Sequence, residues 1–427
     1  MATSQLLHQI TGEDSTEDVF FYTPEGKNSI EDASSDVESG HISYLQSYES
    51  EISCCNILAS GKLFRLITKA IGLWNPREKH YTLLCAIFVV LNILSLLAEI
   101  LIPSICGPFV DRCVTHSKRV TNLTENDNGS VEIIARIYET KLAFDAWNAF
   151  SDTMTYILLI YTLWRAQNHF PLLSLSSAHG KVTSYEWLLI NMMLIICLLA
   201  IAVASVFRIS VVESSKMKFY GIFGLGVLIV YLTAFTCCCV FAVLTCSLGR
   251  LTDLCFHKIC NIGEGNLNDV TEIHQKLCKQ LFATSQSLKP WFLVHWVLFG
   301  VNCLAVFAFD SIYFGLLTRQ FNGAPTVFMA ISFVLNFAIF LVPCIYASRV
   351  TWKCEDMLSK INNMSSGEWN EGHPFRERVN VNEFIFYAER SKCGFKIGKM
   401  TFGSSGTWIS AFLGLLGLGV KLIDYIK

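Results

Sequence analysis

The chain has 427 residues, of which 52% are hydrophobic and only 16% are charged, and its formal net charge at pH 7 is −2. A soluble domain carries about 25% charged residues, so this composition excludes an ordinary soluble protein and predicts a multi-pass membrane protein. The small net charge gives no indication of a nucleic-acid-binding surface, and we expect no nucleic-acid partner.

The N-terminal segment, residues 1–60, contains eleven Asp and Glu residues and a single Lys. A segment of this kind cannot bury enough apolar surface to fold, so we predict a disordered, acidic cytosolic tail. Its first 20 residues have no apolar run, so we expect no cleaved secretory signal. Residues 61–73 alternate basic and apolar positions at helical spacing and predict a short amphipathic helix at the inner membrane surface.

Seven segments of residues 61–427 are long and apolar enough to span a membrane, which takes about 20 residues. They lie at 81–103, 143–164, 186–207, 219–247, 291–317, 325–348 and 402–424. We therefore predict an all-α membrane protein with one seven-transmembrane domain and extended cytosolic helices. The second span is the weakest because Asp145 and Asp152 lie within it.

The orientation follows from the distribution of basic residues, which are enriched on the cytosolic side of membrane proteins. With the N-terminus inside, the inner segments hold 22 Lys and Arg residues and the outer segments hold 11. This count predicts N-in, C-out topology in the plasma membrane, the reverse of a G-protein-coupled receptor. The sequons at Asn122 and Asn128 then lie outside, where glycosylation is possible, and the sequon at Asn363 lies inside.

The last span carries one narrow stripe of small and polar residues at alternating spacings of four and three. Its members are Gly403, Thr407, Ser410, Gly414, Gly417, Lys421 and Asp424. Small residues at this spacing allow two helices to pack closely in lipid within one subunit. The alternative is that the stripe meets its copies around an axis and lines a pore, where hydroxyls and backbone solvate an ion.

The second span carries a polar stripe in its outer half, formed by Asp145, Asn148, Asp152 and Tyr156. Carboxylates at membrane depth are costly and usually face a partner or a wet cavity. Asp310 and Tyr313, near the outer end of the fifth span, are in position to share such a cavity, so we predict a ligand pocket there. In the alternative, the helix begins near Ser151 and Asp145 is solvated.

Enzyme and metal motifs are absent from the sequence. No HExxH, GxSxG or Walker A motif occurs, and no CxxC pair indicates a zinc or redox site. We therefore expect no catalytic activity, no cofactor and no metal.

Two runs in the C-terminal third support a family resemblance. Residues 277–281 and 285–287 lead into a long fifth helix that ends in Asp310-Ser-Ile-Tyr313, and Cys393-Gly-Phe-Lys-Ile-Gly398 precedes the last helix. With the seven-helix layout, these runs resemble the insect gustatory and odorant receptor superfamily, in particular its gustatory-receptor-like members. The layout covers residues 61–427, and the local similarity covers about 270–425.

The closing signature of that family is Thr-Tyr followed five residues later by Gln-Phe. Thr407 matches it, Trp408 replaces the Tyr, and Gly414 and Leu415 stand at the Gln and Phe positions. The signature is therefore half met.

The resemblance implies a chemosensory, homotetrameric ligand-gated cation channel. Its last helix would line the pore, its cytosolic helices would join the subunits, and a small molecule would bind in the outer half of the bundle. The alternatives are a metabotropic seven-helix receptor with an external N-terminus and a transporter or scaffold without a pore. If Leu277 and Leu281 face another subunit, replacing both by Asp should dissociate the tetramer.

Overall fold

The computed structural model describes residues 60–75, 78–97, 128–166, 175–179, 181–210, 217–260, 262, 267–320, 324–364, 375, 377–398, 400–403, 414 and 417. The predicted N-terminal tail lies outside these residues apart from Ser60. The predicted seventh span also lies outside them, apart from Phe402, Gly403, Gly414 and Gly417.

Almost all of the described chain is helical. The helices are α1 (Lys62–Ala70), α2 (Lys79–Leu97), α3 (Asn128–Ala166), α4 (Leu175–His179), α5 (Ser184–Ser210), α6 (Met217–Cys260), α7 (Leu267–Gln320), α8 (Ala324–Asn363) and α9 (Arg378–Ser391). Two short strands, β1 (Lys396–Ile397) and β2 (Met400–Thr401), form an antiparallel hairpin after α9.

Five described helices are long and apolar enough to cross a membrane: α2 and parts of α5, α6, α7 and α8. Each overlaps one of the predicted spans, and this confirms the helical membrane fold. The second predicted span lies inside α3. Because α3 begins at Asn128, this helix does not begin near Ser151. The side chain of Asp145 lies outside the described part, so its solvation stays a prediction. The seventh span and the orientation stay predictions.

Helix α6 lies at the centre of the bundle and contacts α3, α5, α7 and α8. Its residues 233–249 are all buried, among them the cysteine triplet 237–239, whose thiols are free. A helix that is apolar on every side is expected to be enclosed by other helices, and small Cys, Thr and Ala side chains let these neighbours approach closely.

The predicted amphipathic helix is α1, which lies against the bundle. Phe64 is buried, with its ring centroid 5.3 Å from that of Trp187 on α5. The hydroxyl of Tyr156 on α3 donates a 2.6 Å hydrogen bond to the carbonyl of Ile71. The chain then turns at Gly72, where φ is +81° and an added Cβ would lie 2.5 Å from the backbone nitrogen of Cys85.

Helix α7 has 54 residues, so at 1.5 Å per residue it is about 80 Å long and exceeds the ~30 Å hydrocarbon core of a bilayer. Residues 267–290 of α7 lie before its predicted span, and residues 248–260 of α6 and 349–363 of α8 lie after theirs. Together with α9, which packs on α7 and α8, these extensions form what we call the helical base (residues 248–260, 267–290, 349–363 and 378–391).

Ion pairs join the helices where the apolar spans meet the base. Glu186 of α5 pairs with Arg349 of α8 at 3.1 Å, and Asp253 of α6 pairs with Lys353 of α8 at 2.9 Å. Glu186 also accepts a 3.1 Å hydrogen bond from the backbone N–H of Thr183, whose hydroxyl accepts one in return at 3.3 Å. This reciprocal pair is a capping box that begins α5.

The expected intersubunit role of Leu277 and Leu281 is not supported. Both side chains are buried within the single chain. They belong to the internal core of the helical base, because a side chain already covered by its own subunit has no surface left for another. An intersubunit contact must use other residues.

Candidate functional site

Three amide or carboxyl side chains are buried inside the bundle without hydrogen-bond partners. They are Asn148 and Asp152 on α3 and Asn302 on α7. Within the described residues, neither polar atom of any of them has a partner. Leaving such a group unsatisfied costs about 1–3 kcal/mol, so three of them in one bundle indicate a place where a bound molecule or water completes the hydrogen bonding.

Contacts between α3, α6 and α7 relate these side chains to one another. The Trp291 indole N–H on α7 donates a 3.0 Å hydrogen bond to the Thr155 carbonyl on α3. Cys238 Sγ of α6 lies 3.8 Å from Nε2 of His295. Asp152 lies one turn before Thr155 on α3, and His295 lies one turn after Trp291 on α7, so both are within one helical turn of the hydrogen bond between α3 and α7.

Asn148 lies one turn from Asp152 towards the N-terminus of α3, and Asn302 lies two turns from His295 towards the C-terminus of α7. In the predicted topology both directions lead to the outer surface.

Of the other predicted pocket residues, the structure describes the side chain of Tyr156 but not those of the remaining three. Tyr156 is fully buried, but its hydroxyl is used in the hydrogen bond to Ile71 and thus fastens the connection between α1 and α2 to α3. Asp145 lies in α3, and Asp310 and Tyr313 lie in α7. The side chains of these three are outside the part that the structure describes.

The Cys393–Gly398 run forms a tight connection that leads from α9 into the last segment. Gly394 has φ +145°, and a Cβ added there would lie 2.6 Å from Oγ1 of Thr351 on α8. The backbone N–H of Phe395 donates a 3.2 Å hydrogen bond to the same hydroxyl. Phe395 and Phe402 flank the hairpin, and their ring centroids lie 5.7 and 5.0 Å from that of Phe292 on α7. The start of the last segment is thus held on α7 and α8.

We expect Gly394→Ala to lower the free energy of unfolding by about 2–4 kcal/mol, because it adds a contact with Thr351 to a strained backbone conformation. Gly398→Ala is the matched control. It also has a positive φ of +65°, but an added Cβ would approach nothing described closer than Lys289 Nζ at 3.9 Å. Its loss should be about 1 kcal/mol. Thermal unfolding of the purified protein measures both, and equal losses would show that the Thr351 contact is unimportant.

The predicted pore stripe is described at three glycines. Gly414 and Gly417 are helical and exposed, and a Cβ added at either, or at Gly403, would meet no atom of the described residues within 4 Å. The described chain therefore places no other helix against this face. Thr407, Ser410, Lys421 and Asp424 lie outside the described residues.

A group of thiols and an imidazole lies in the helical base. His274 and Cys278 are one turn apart on α7, and Cys393 follows α9. Cys393, and to a lesser extent His274, lie beside the Cys278 thiol and hold its pKa below its usual range. No short sequence motif indicated this group.

Comparisons with known proteins identify structural relatives only. No family model matches the chain, and no curated protein matches it. The fold is similar to the insect olfactory receptor OR5 from Machilis hrabei in complex with eugenol, at 11% identity over 86% of this chain and 97% of that chain, with a TM-score of 0.48. A second structure of OR5 matches at 11% identity over 89% and 98%, with a TM-score of 0.47. Both of these structures are insect olfactory receptors.

Proposed function

We propose that the chain is a chemoreceptor-like, ligand-gated cation channel of the plasma membrane, in which four copies surround a pore lined by the last helix. The observation that carries the proposal is the exposure of Gly414 and Gly417, which contact no other described helix. A small and polar stripe in an apolar span needs a partner surface. Four copies of the stripe around an axis supply one.

In this proposal the chain crosses the membrane seven times, with the N-terminus inside and the C-terminus outside. The helical base is then cytosolic, and the loop with Asn122 and Asn128 is external and open to glycosylation. The count of 22 basic residues inside against 11 outside supports this orientation.

The ligand is a small molecule that binds between α3, α6 and α7 in the outer half of each subunit. Asn148, Asp152 and Asn302 offer it hydrogen-bond donors and acceptors in an otherwise apolar bundle, which suits a molecule with one or two hydroxyl groups. Asp145, Asp310 and Tyr313 lie further along α3 and α7 and complete the pocket.

The subunits join through apolar side chains that the single chain leaves exposed on its helical base. Phe282 of α7 is 45% exposed, and Phe386 of α9 is 57% exposed. In water such aromatic side chains gain free energy when they are covered, so the base supplies an attraction between subunits that lipid does not. In a ring of four copies each contact joins two different surfaces of neighbouring subunits, so we propose that Phe282 and Phe386 contact another part of the helical base of the next copy.

We expect the double variant Phe282→Asp, Phe386→Asp to dissociate the tetramer into folded monomers, because charges replace the apolar contact. Phe282→Leu with Phe386→Leu is the matched control and should leave the tetramer intact. Native mass measurement of the detergent-purified proteins distinguishes these results. Leu277→Asp should instead unfold the base, since its side chain is internal. A tetramer that survives both Asp substitutions would place the contact elsewhere.

Reconstitution of the purified protein into planar lipid bilayers tests the function. The proposal predicts unitary cation currents when small aliphatic and aromatic alcohols are added to the bilayer. Silent bilayers from a protein that is correctly folded and inserted, together with an N-terminal epitope accessible on intact cells, would favour the metabotropic receptor. If the bilayers are silent and the N-terminal epitope is inaccessible on intact cells, the result would favour the transporter or scaffold.

A further inference from the structure

Three potential metal ligands converge in the helical base. His274 and Cys278 lie on one face of α7, since residues four apart in a helix are neighbours, and Cys393 lies in the turn after α9. Their ligand atoms are all within 4.8 Å of one another. Cys278 Sγ is 3.7 Å from Nδ1 of His274. Two elements that are distant in sequence thus bring two thiols and an imidazole to one point.

The spacing is close to that of a tetrahedral zinc site. Zinc bonds sulfur at about 2.3 Å and imidazole nitrogen at about 2.0–2.1 Å, which at tetrahedral angles places sulfur and nitrogen about 3.5 Å apart. The measured 3.7 Å between Cys278 Sγ and His274 Nδ1 needs only a small adjustment. Cysteine thiolates and imidazole are also ligands that bind zinc well, whereas the hard cations magnesium and calcium prefer oxygen ligands.

The surroundings of the three ligands suit a bound metal. His274 is buried, and its ring lies against Phe384 and Tyr387 of α9, at centroid distances of 5.6 and 5.7 Å. The Ser391 hydroxyl lies 3.8 Å from Cys278 Sγ and donates its proton to the Ala388 carbonyl at 2.7 Å. The thiols are free rather than joined in a disulfide.

We propose that His274, Cys278 and Cys393 bind one Zn²⁺ ion. The ion fastens α7 to the turn from which the chain enters its last segment. The site does not depend on whether the chain conducts ions.

The metal content of the full-length protein, purified in detergent from zinc-supplemented cells, tests this site. Inductively coupled plasma mass spectrometry should find one zinc per chain in the wild type and in Cys344→Ser, which removes a buried thiol of α8 at a distance from the ligands. Cys278→Ser and Cys393→Ser should each lose at least nine-tenths of the zinc. Replacement of zinc by Co²⁺ should give thiolate-to-cobalt charge-transfer absorption in the wild type and not in these two variants.

Measurements on the wild-type protein alone can disprove the proposal, so the test does not depend on whether the variants fold. Folded wild-type protein without zinc, which also gives no cobalt spectrum after chelation and reloading, would exclude the site. A Cys278–Cys393 disulfide in metal-free protein would do the same and identify a redox pair. Zinc retained in a folded Cys393→Ser protein would place the metal elsewhere.

Discussion

Replacing Gly414 by Leu is expected to abolish ion conduction while the protein still reaches the cell surface. Gly414 is exposed in the single chain, and an added Cβ meets no described atom within 4 Å, so the described residues leave room for a side chain at this position. Around a shared axis the substitution is repeated in every subunit and places four isobutyl groups in one cross-section. A hydrophobic constriction of this kind closes a pore by excluding water. Whole-cell current and surface biotinylation measure the two effects.

Cysteine reactivity supplies the control for this interpretation. Ser410→Cys should react with small thiol reagents added from outside, because it shares the stripe with Gly414 and the C-terminus is external in the predicted topology. Ile409→Cys and Phe412→Cys, on the flanking faces, should react much more slowly. If the stripe packs against a helix instead, Gly414→Leu should reduce expression and Ser410→Cys should be unreactive.

Lys421→Glu should raise cation over anion permeability, because four positive charges near the mouth become negative.

Replacing Asp152 by Leu is expected to stabilise the protein and to abolish ligand binding. The Asp152 carboxyl is buried, and its oxygens have no partner in the described residues. Removing an unsatisfied buried group saves about 1–3 kcal/mol, and binding sites are commonly less stable than the sequence allows. We expect a higher unfolding temperature and no further thermal shift from any of a panel of small aliphatic and aromatic alcohols.

Thr153→Val is the matched control in the same helical turn. Thr153 is equally buried, but its hydroxyl donates a 2.7 Å hydrogen bond to the carbonyl of Ala149. Its removal therefore relieves no unsatisfied group and should change neither stability nor ligand response by much. A destabilised Asp152→Leu protein would show that the carboxyl has a structural partner. Thermal shifts that persist in a stable Asp152→Leu protein would move the ligand to another pocket.

The apolar spans were predictable from the sequence because length and hydropathy alone decide whether a helix suits a membrane. The five helices that meet this criterion each overlap a predicted span. The amphipathic helix α1 was predictable for a related reason, since its basic and apolar residues alternate at helical spacing. Its burial of Phe64 agrees with that pattern.

The spacing of apolar residues did not show whether a helical face packs within its own subunit or against another subunit. Leu277 and Leu281 have the spacing of a buried face, but that spacing is the same whether the covering surface belongs to the same subunit or to another. The structure shows an internal surface at these two leucines and leaves the side chains of Phe282 and Phe386 exposed on the helical base.

Two features depend on contacts between distant parts of the chain, so local sequence patterns indicate them only weakly. Asn302 is a single amide within an apolar run, and its likeness to Asn148 emerges only when both prove to be buried without partners in the described residues. His274 and Cys278 are spaced four apart, which is visible in the sequence, but Cys393 joins them only through the packing of α9 on α7.

Electron cryomicroscopy of the purified, full-length protein in lipid nanodiscs tests the proposed channel most directly. The expected result is a four-fold symmetric particle in which the 402–424 segments surround the axis, with Gly414 and Ser410 facing a continuous passage and the helical bases in contact. A monomer would contradict the proposal, and so would an assembly in which the 402–424 segments face lipid and enclose no passage.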